Sequence, residues 1–96
     1  MARGEMLTVF SYDVVEDKRR RKIAHLLEGS ATRVQKSVFE TRLTKARAEA
    51  LAQRVSALLG NADSLRVYVL GADGEMRSRV FGNGAPFESD EGFWLF

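Results

Sequence analysis

The spacing of apolar residues changes period several times along this chain, and each change predicts an element. Residues 6–12, MLTVFSY, alternate: Leu7 and Val9 point one way, Met6, Phe10 and Tyr12 the other. Both faces are largely apolar, as expected of a central strand. Asp13 follows with the parity of Leu7, Val9 and Ser11. The period then lengthens. Over 17–28, Ile23, Leu26 and Leu27 recur at helical spacing, while Lys18, Arg21, Lys22 and His25 form the opposite stripe. Glu16 and Asp17 suit the positive end of the helix dipole, and Gly29 ends the segment.

Residues 32–43, TRVQKSVFETRL, return to strand composition and predict two strands with a tight turn near Lys36 and Ser37. Thr44 is placed to cap a helix over 45–59, whose apolar face is Ala48, Leu51, Ala52, Val55, Leu58 and Leu59, with Gly60 as its stop. Residues 64–70, SLRVYVL, alternate as a strand. The order β-α-β-β-α-β predicts an α+β, ferredoxin-like antiparallel sheet with both helices on one face. Its other face is left bare, and a second copy of the chain is the simplest cover, so a homodimer is expected. Residues 6–71 form this core. The extension over 72–96 holds a turn (GADGEM), a short strand at 77–81, a loop, and four apolar residues, Phe93, Trp94, Leu95 and Phe96. That apolar stretch predicts a strand docked on its own sheet, on a dimer mate or on another protein.

Composition narrows the class. A chain of 96 residues is a single domain with a modest core. It has no cysteine, so disulfides and thiolate metal sites are excluded. No signal-peptide pattern and no apolar run of about 20 residues is present, which predicts a cytoplasmic protein without membrane contact. A net charge of +2 does not announce a polyanion binder, but its distribution is uneven. Lys18, Arg19, Arg20, Arg21 and Lys22 are consecutive cations, with Arg33, Lys36, Arg42, Lys45 and Arg47 further on. Like charges at i, i+3 and i+4 repel unless an anion compensates, and phosphates are natural partners. The bland alternative is a solvated helix face.

Asp13 has two readings. It is a turn or helix-capping residue, or a metal ligand on the rigid end of a strand. One carboxylate is a poor metal site, but a two-fold dimer could bring two Asp13 side chains to one Mg²⁺, which would activate water for attack on a phosphodiester. His25, the only histidine, sits on the basic stripe, and Ser37 has no base paired with it in sequence. Tyr12 and Tyr68 fit core or interface positions. No Gly-rich phosphate loop and no dinucleotide fingerprint is present.

Two motifs carry a family resemblance over roughly residues 6–70. Tyr12-Asp13-Val14 is followed by Asp17-Lys18-Arg19-Arg20 at a helix start, and then by Arg33-Val34-Gln35-Lys36-Ser37-Val38-Phe39-Glu40. This order resembles the small CRISPR-associated adaptation protein, the second core protein of spacer acquisition. The resemblance implies a ferredoxin-like homodimer that holds double-stranded DNA between integrase subunits. It implies that Asp13 is the metal-binding and candidate catalytic residue of a Mg²⁺-dependent endonuclease acting on single-stranded RNA or double-stranded DNA. Phe93 to Phe96 would then be a swapped strand or an integrase-docking segment. Two other classes stay open: a toxin-type ribonuclease of the same fold, and an interaction module without catalysis.

Overall fold

A computed structural model describes residues 4–71 and 74–82. The elements are β1 (Glu5–Asp13), α1 (Asp17–Glu28), β2 (Thr32–Gln35), β3 (Val38–Thr44), α2 (Lys45–Ser56), β4 (Ser64–Leu70) and β5 (Met76–Gly82). The strands form one antiparallel sheet in the order β2-β3-β1-β4-β5. Central β1 pairs with β3 on one side and β4 on the other, as its two apolar faces predict. This is the ferredoxin-like α+β arrangement with an added edge strand.

The alternation in β1 decides what each face does. Thr8, Phe10 and Tyr12 point to the helices and are buried, together with Phe39, Leu43, Leu65 and Val67 from the neighbouring strands. Ile23, Ala24 and Leu27 of α1 and Ala48, Leu51, Ala52 and Val55 of α2 close the core from above. Phe10 and Phe39 are direct cross-strand partners with no exposed surface, and each contributes roughly 1.5–3 kcal/mol by leaving water. Thr8 is buried without loss because its Oγ1 donates to the Met6 carbonyl at 3.1 Å.

The opposite face carries Leu7, Val9, Tyr68, Leu70 and Val80 on adjacent strands, all half-buried, with no helix over them among the described residues. Asp13 shares their parity and ends exposed at the rim of this face, opposite Ser64 of β4.

Some element ends differ from the sequence reading, and the end of α1 agrees with it. The second helix ends at Ser56, not at residue 59. The backbone then tightens into i→i+3 bonds, Leu58 N–H to Val55 and Leu59 N–H to Ser56, so both leucines still pack on the core. Gly29 ends α1 in a right-handed conformation, φ −71°, and Ala31 N–H closes the turn on the Leu27 carbonyl at 2.8 Å. The fifth strand is longer than residues 77–81 by one at each end. The β2–β3 turn at Lys36 and Ser37 is where expected, and the register shift between Arg33 and Gln35 lets a turn without glycine connect the strands. Thr44 does cap α2, its hydroxyl accepting from Arg47 N–H at 3.3 Å. Phe93, Trp94, Leu95 and Phe96 lie outside the described residues. Among the described residues no helix is long and apolar enough to cross a membrane.

Candidate nucleic-acid interface

One end of the sheet gathers the residues that the sequence marked. β1 ends at Asp13, α1 begins four residues later, and the β2–β3 turn comes alongside, held by a hydrogen bond from Tyr12 N–H to the Ser37 carbonyl at 3.1 Å. A groove of about 840 Å³ opens between α1 and that turn. Asp13, Arg21, His25, Arg33, Lys36 and Ser37 line it, with Arg20, Asp17 and Glu28 at its sides. Arg33 and Lys36, which sequence could not place on one face with the α1 cations, meet them here because the hairpin folds back beside the helix.

The five-cation run divides in two. Lys18, Arg21 and Lys22 are exposed and, among the described residues, make no ion pair. Arg19 and Arg20 turn into the protein. Arg19 Nε donates to Asp63 Oδ2 at 2.8 Å, and its Nη1 reaches Glu16 at 3.2 Å. Arg20 Nη1 donates to the carbonyls of Val14 and Val15 at 2.8 and 3.0 Å and also pairs with Asp17. Arginine's planar fork suits such multiple acceptance, so these two side chains brace the β1–α1 turn. Arg33 is held over the Phe39 ring at 5.1 Å. In the groove that leaves Arg21 and Lys36 as cations without an in-chain ion pair among the described residues, and Asp13 as an acid without one.

Asp63 is the residue the sequence reading missed. It is fully buried, directly before β4. Its Oδ1 accepts from Val15 N–H at 2.9 Å, and its Oδ2 from Gly60 N–H at 2.7 Å as well as from Arg19. Burial alone would push this carboxyl up. The two backbone N–H bonds and then Arg19 outweigh burial and hold it below the ordinary carboxylate range. The same hydrogen bond raises Arg19 above its ordinary value, against the lowering effect of burial. A partial signal existed. Arg19 lies four residues before Ile23, on the core side of the helix, where a cation requires a buried acid.

The donor set for a metal is narrow. Among the described residues no group of three or more His, Asp or Glu side chains could hold an ion. Asp13 offers an exposed carboxylate on a rigid strand end, and Asp17 is engaged by Arg20. In this groove, one chain thus supplies one carboxylate without an ion pair among the described residues. Ser37 and His25 line the same groove, and among the described residues no hydrogen bond links them.

The family model described as CRISPR associated protein Cas2 matches residues 6–77. A CRISPR-associated endoribonuclease Cas2 of Chloroflexus aurantiacus is 37% identical over 92 residues, covering 94% of this chain and 99% of the relative. One from Synechocystis is 46% identical over 65 residues, covering 67% of this chain and 71% of the relative. The crystal structure of Streptococcus pyogenes Cas2 superposes with a TM-score of 0.61 at 35% identity, over 69% of this chain and 87% of that one.

Proposed function

The chain belongs to the Cas2 family of CRISPR-associated proteins, and we propose that it acts in spacer acquisition as a homodimer that grips nucleic-acid phosphates and hydrolyses phosphodiesters with Mg²⁺. The observation that carries this reading is the groove in which Asp13, Arg21 and Lys36 stand together with no ion-pair partner among the described residues. Unspent charge of both signs at one place suits a phosphate and a cation arriving together.

The sheet face that carries no helix among the described residues supports dimerisation. Leu7, Val9, Tyr68, Leu70 and Val80 form an apolar surface that a second copy would cover by two-fold symmetry. Asp13 sits on the rim of that surface, so two copies would each contribute one carboxylate to an ion site. Magnesium fits this all-oxygen, water-sharing ligand set, and when bound it activates water and offsets charge on the phosphate. The chain's own part is to hold and orient. Arg21 and Lys36 contact backbone phosphates, with Lys18 and Lys22 extending the track along α1. None of these contacts reads a base. Binding is therefore sequence-independent and steeply salt-dependent.

The relatives' names as endoribonucleases support RNA as a substrate for cutting. The basic track supports double-stranded DNA as the polymer held for the integrase subunit. Cleavage of labelled single-stranded RNA and double-stranded DNA, with Mg²⁺ or EDTA, by wild type and Asp13→Asn tests both. Mg²⁺-dependent cutting lost in the variant supports a nuclease. Cutting that survives the substitution removes Asp13 from the chemistry. Duplex binding without cutting leaves the DNA-holding role alone, and toxicity on expression abolished by Asp13→Asn points to a toxin-type ribonuclease instead.

A further inference from the structure

One buried carboxylate ties together three segments beside the turn that follows Asp13. Asp63 Oδ1 takes the N–H of Val15, two residues beyond Asp13. Asp63 Oδ2 takes Gly60 N–H, from the turn that enters β4, and Arg19 Nε, from the first turn of α1. The next residue, Ser64, is the β4 partner of Asp13. Gly60 is fitted to this junction, since a Cβ there would lie 2.7 Å from the Arg19 guanidinium carbon.

We propose that Asp63, with Arg19 and Gly60, is a positioning device for the Asp13 site. It fixes the β1–α1 turn so that the Asp13 carboxylate and the α1 cations face one phosphate track. This rests on the reading of Asp13 and the groove given above. Asp13 is anchored on its strand side by the β1–β4 ladder and on its loop side by the Val15–Asp63 bond. Arg20 closes the same turn by taking the Val14 and Val15 carbonyls. Every backbone polar group that could let residues 14–15 swing has thus been given a partner within the junction except Val14 N–H. A neutral amide at position 63 breaks the scheme. Its one oxygen can serve either Val15 N–H or the Gly60 and Arg19 donors, and its NH₂ is then turned toward the others, donor against donor. The turn then shifts, and a site that depends on placement within about 0.5 Å loses function beyond what it loses in stability.

The experiment compares the full chain as wild type, Asp63→Asn and Leu43→Ala. Leu43 is a buried core residue at the far end of the sheet, opposite Met6, and serves as a destabilised control. Each is assayed, at a temperature where all are folded, for Mg²⁺ titration of single-stranded RNA cleavage and for double-stranded DNA affinity. Asp63→Asn is expected to cut about tenfold more slowly, to need several-fold more Mg²⁺ for half-maximal rate, and to bind duplex several-fold less tightly. Leu43→Ala is expected to match wild type in all three. Asp63→Asn behaving like Leu43→Ala overturns the proposal. Should Asp63→Asn fail to fold, Arg19→Lys keeps the Val15 and Gly60 bonds and is expected to show the same pattern at reduced size. Its matching wild type is equally fatal. Wild type that binds duplex but cuts nothing removes the nuclease reading, and duplex affinity then decides on Asp63. Wild type that does neither overturns both.

Discussion

Two aspartates lie at the same end of this sheet, one strand apart, and their environments are opposite. Asp13 ends β1 exposed, its carboxylate without a hydrogen bond or ion pair among the described residues. Asp63 precedes β4 fully buried, with two backbone N–H groups and a guanidinium on its oxygens. A carboxylate has about four acceptor sites, and Asp63 has filled three of them inside the fold. Asp13 keeps all of its own for something outside it. The difference separates two uses of one side chain: the buried acid spends most of its acceptors inside the fold, and the exposed one spends none there among the described residues.

Substitutions can break this contrast or sharpen it. The largest effect belongs to Asp13→Asn. Cleavage should fall by about a hundredfold or more, as for a lost metal ligand, while stability stays within about 0.5 kcal/mol, as for an exposed change. A melting curve run beside the cleavage assay checks both halves, and a large drop in melting temperature would mean that Asp13 is structural after all.

Asp63→Ala should do the reverse to stability. It leaves Val15 N–H, Gly60 N–H and Arg19 without their acceptor, at a cost of about 3 kcal/mol, seen as a melting shift on the order of 10 °C or more. A shift of a degree or two would show that water replaces the carboxylate and that the junction is weak.

The cations divide the same way. Arg21→Gln with Lys36→Gln should flatten the slope of log affinity against log salt for duplex DNA by about two, with stability nearly unchanged. Arg19→Gln should instead lower stability and leave that slope almost intact. Equal slopes for both variants would erase the division of the basic run.

The smallest effect is acid dependence. Asp63 is held below the ordinary carboxylate value in the folded state, so its contribution is fully present above the unfolded value of about 3.9 and is lost as pH falls through the lower folded value. The stability gap between wild type and Asp63→Asn should therefore be constant from neutral pH down to about 4 and narrow only below it. Urea melts across that range measure it, and a gap that narrows nearer neutrality would contradict the depressed value.

Most of the fold was legible because burial imposes a period. Alternation placed β1, β3 and β4, and helical spacing placed α1 with its charged stripe outward. The second helix was overrun because Leu58 and Leu59 continue the apolar spacing although the backbone has already tightened. At the site, Asp13 and the basic run were visible as residue types, but their meeting with Arg33, Lys36 and Ser37 depends on a hairpin folding back, which spacing does not encode. Asp63 was illegible for a different reason. Its partner Arg19 is 44 residues away, and an acid in an Asn-Ala-Asp turn looks solvated until the fold closes over it.

Gly82 gives that closure a mutational signature. It is exposed at the end of β5, with φ +82°, and a Cβ there would fall 2.4 Å from the Asp63 carbonyl oxygen. In a saturation scan, solvent-facing strand ends usually accept almost any side chain. Position 82 should instead reject every one, and register as a core-like minimum of tolerance on an otherwise permissive edge.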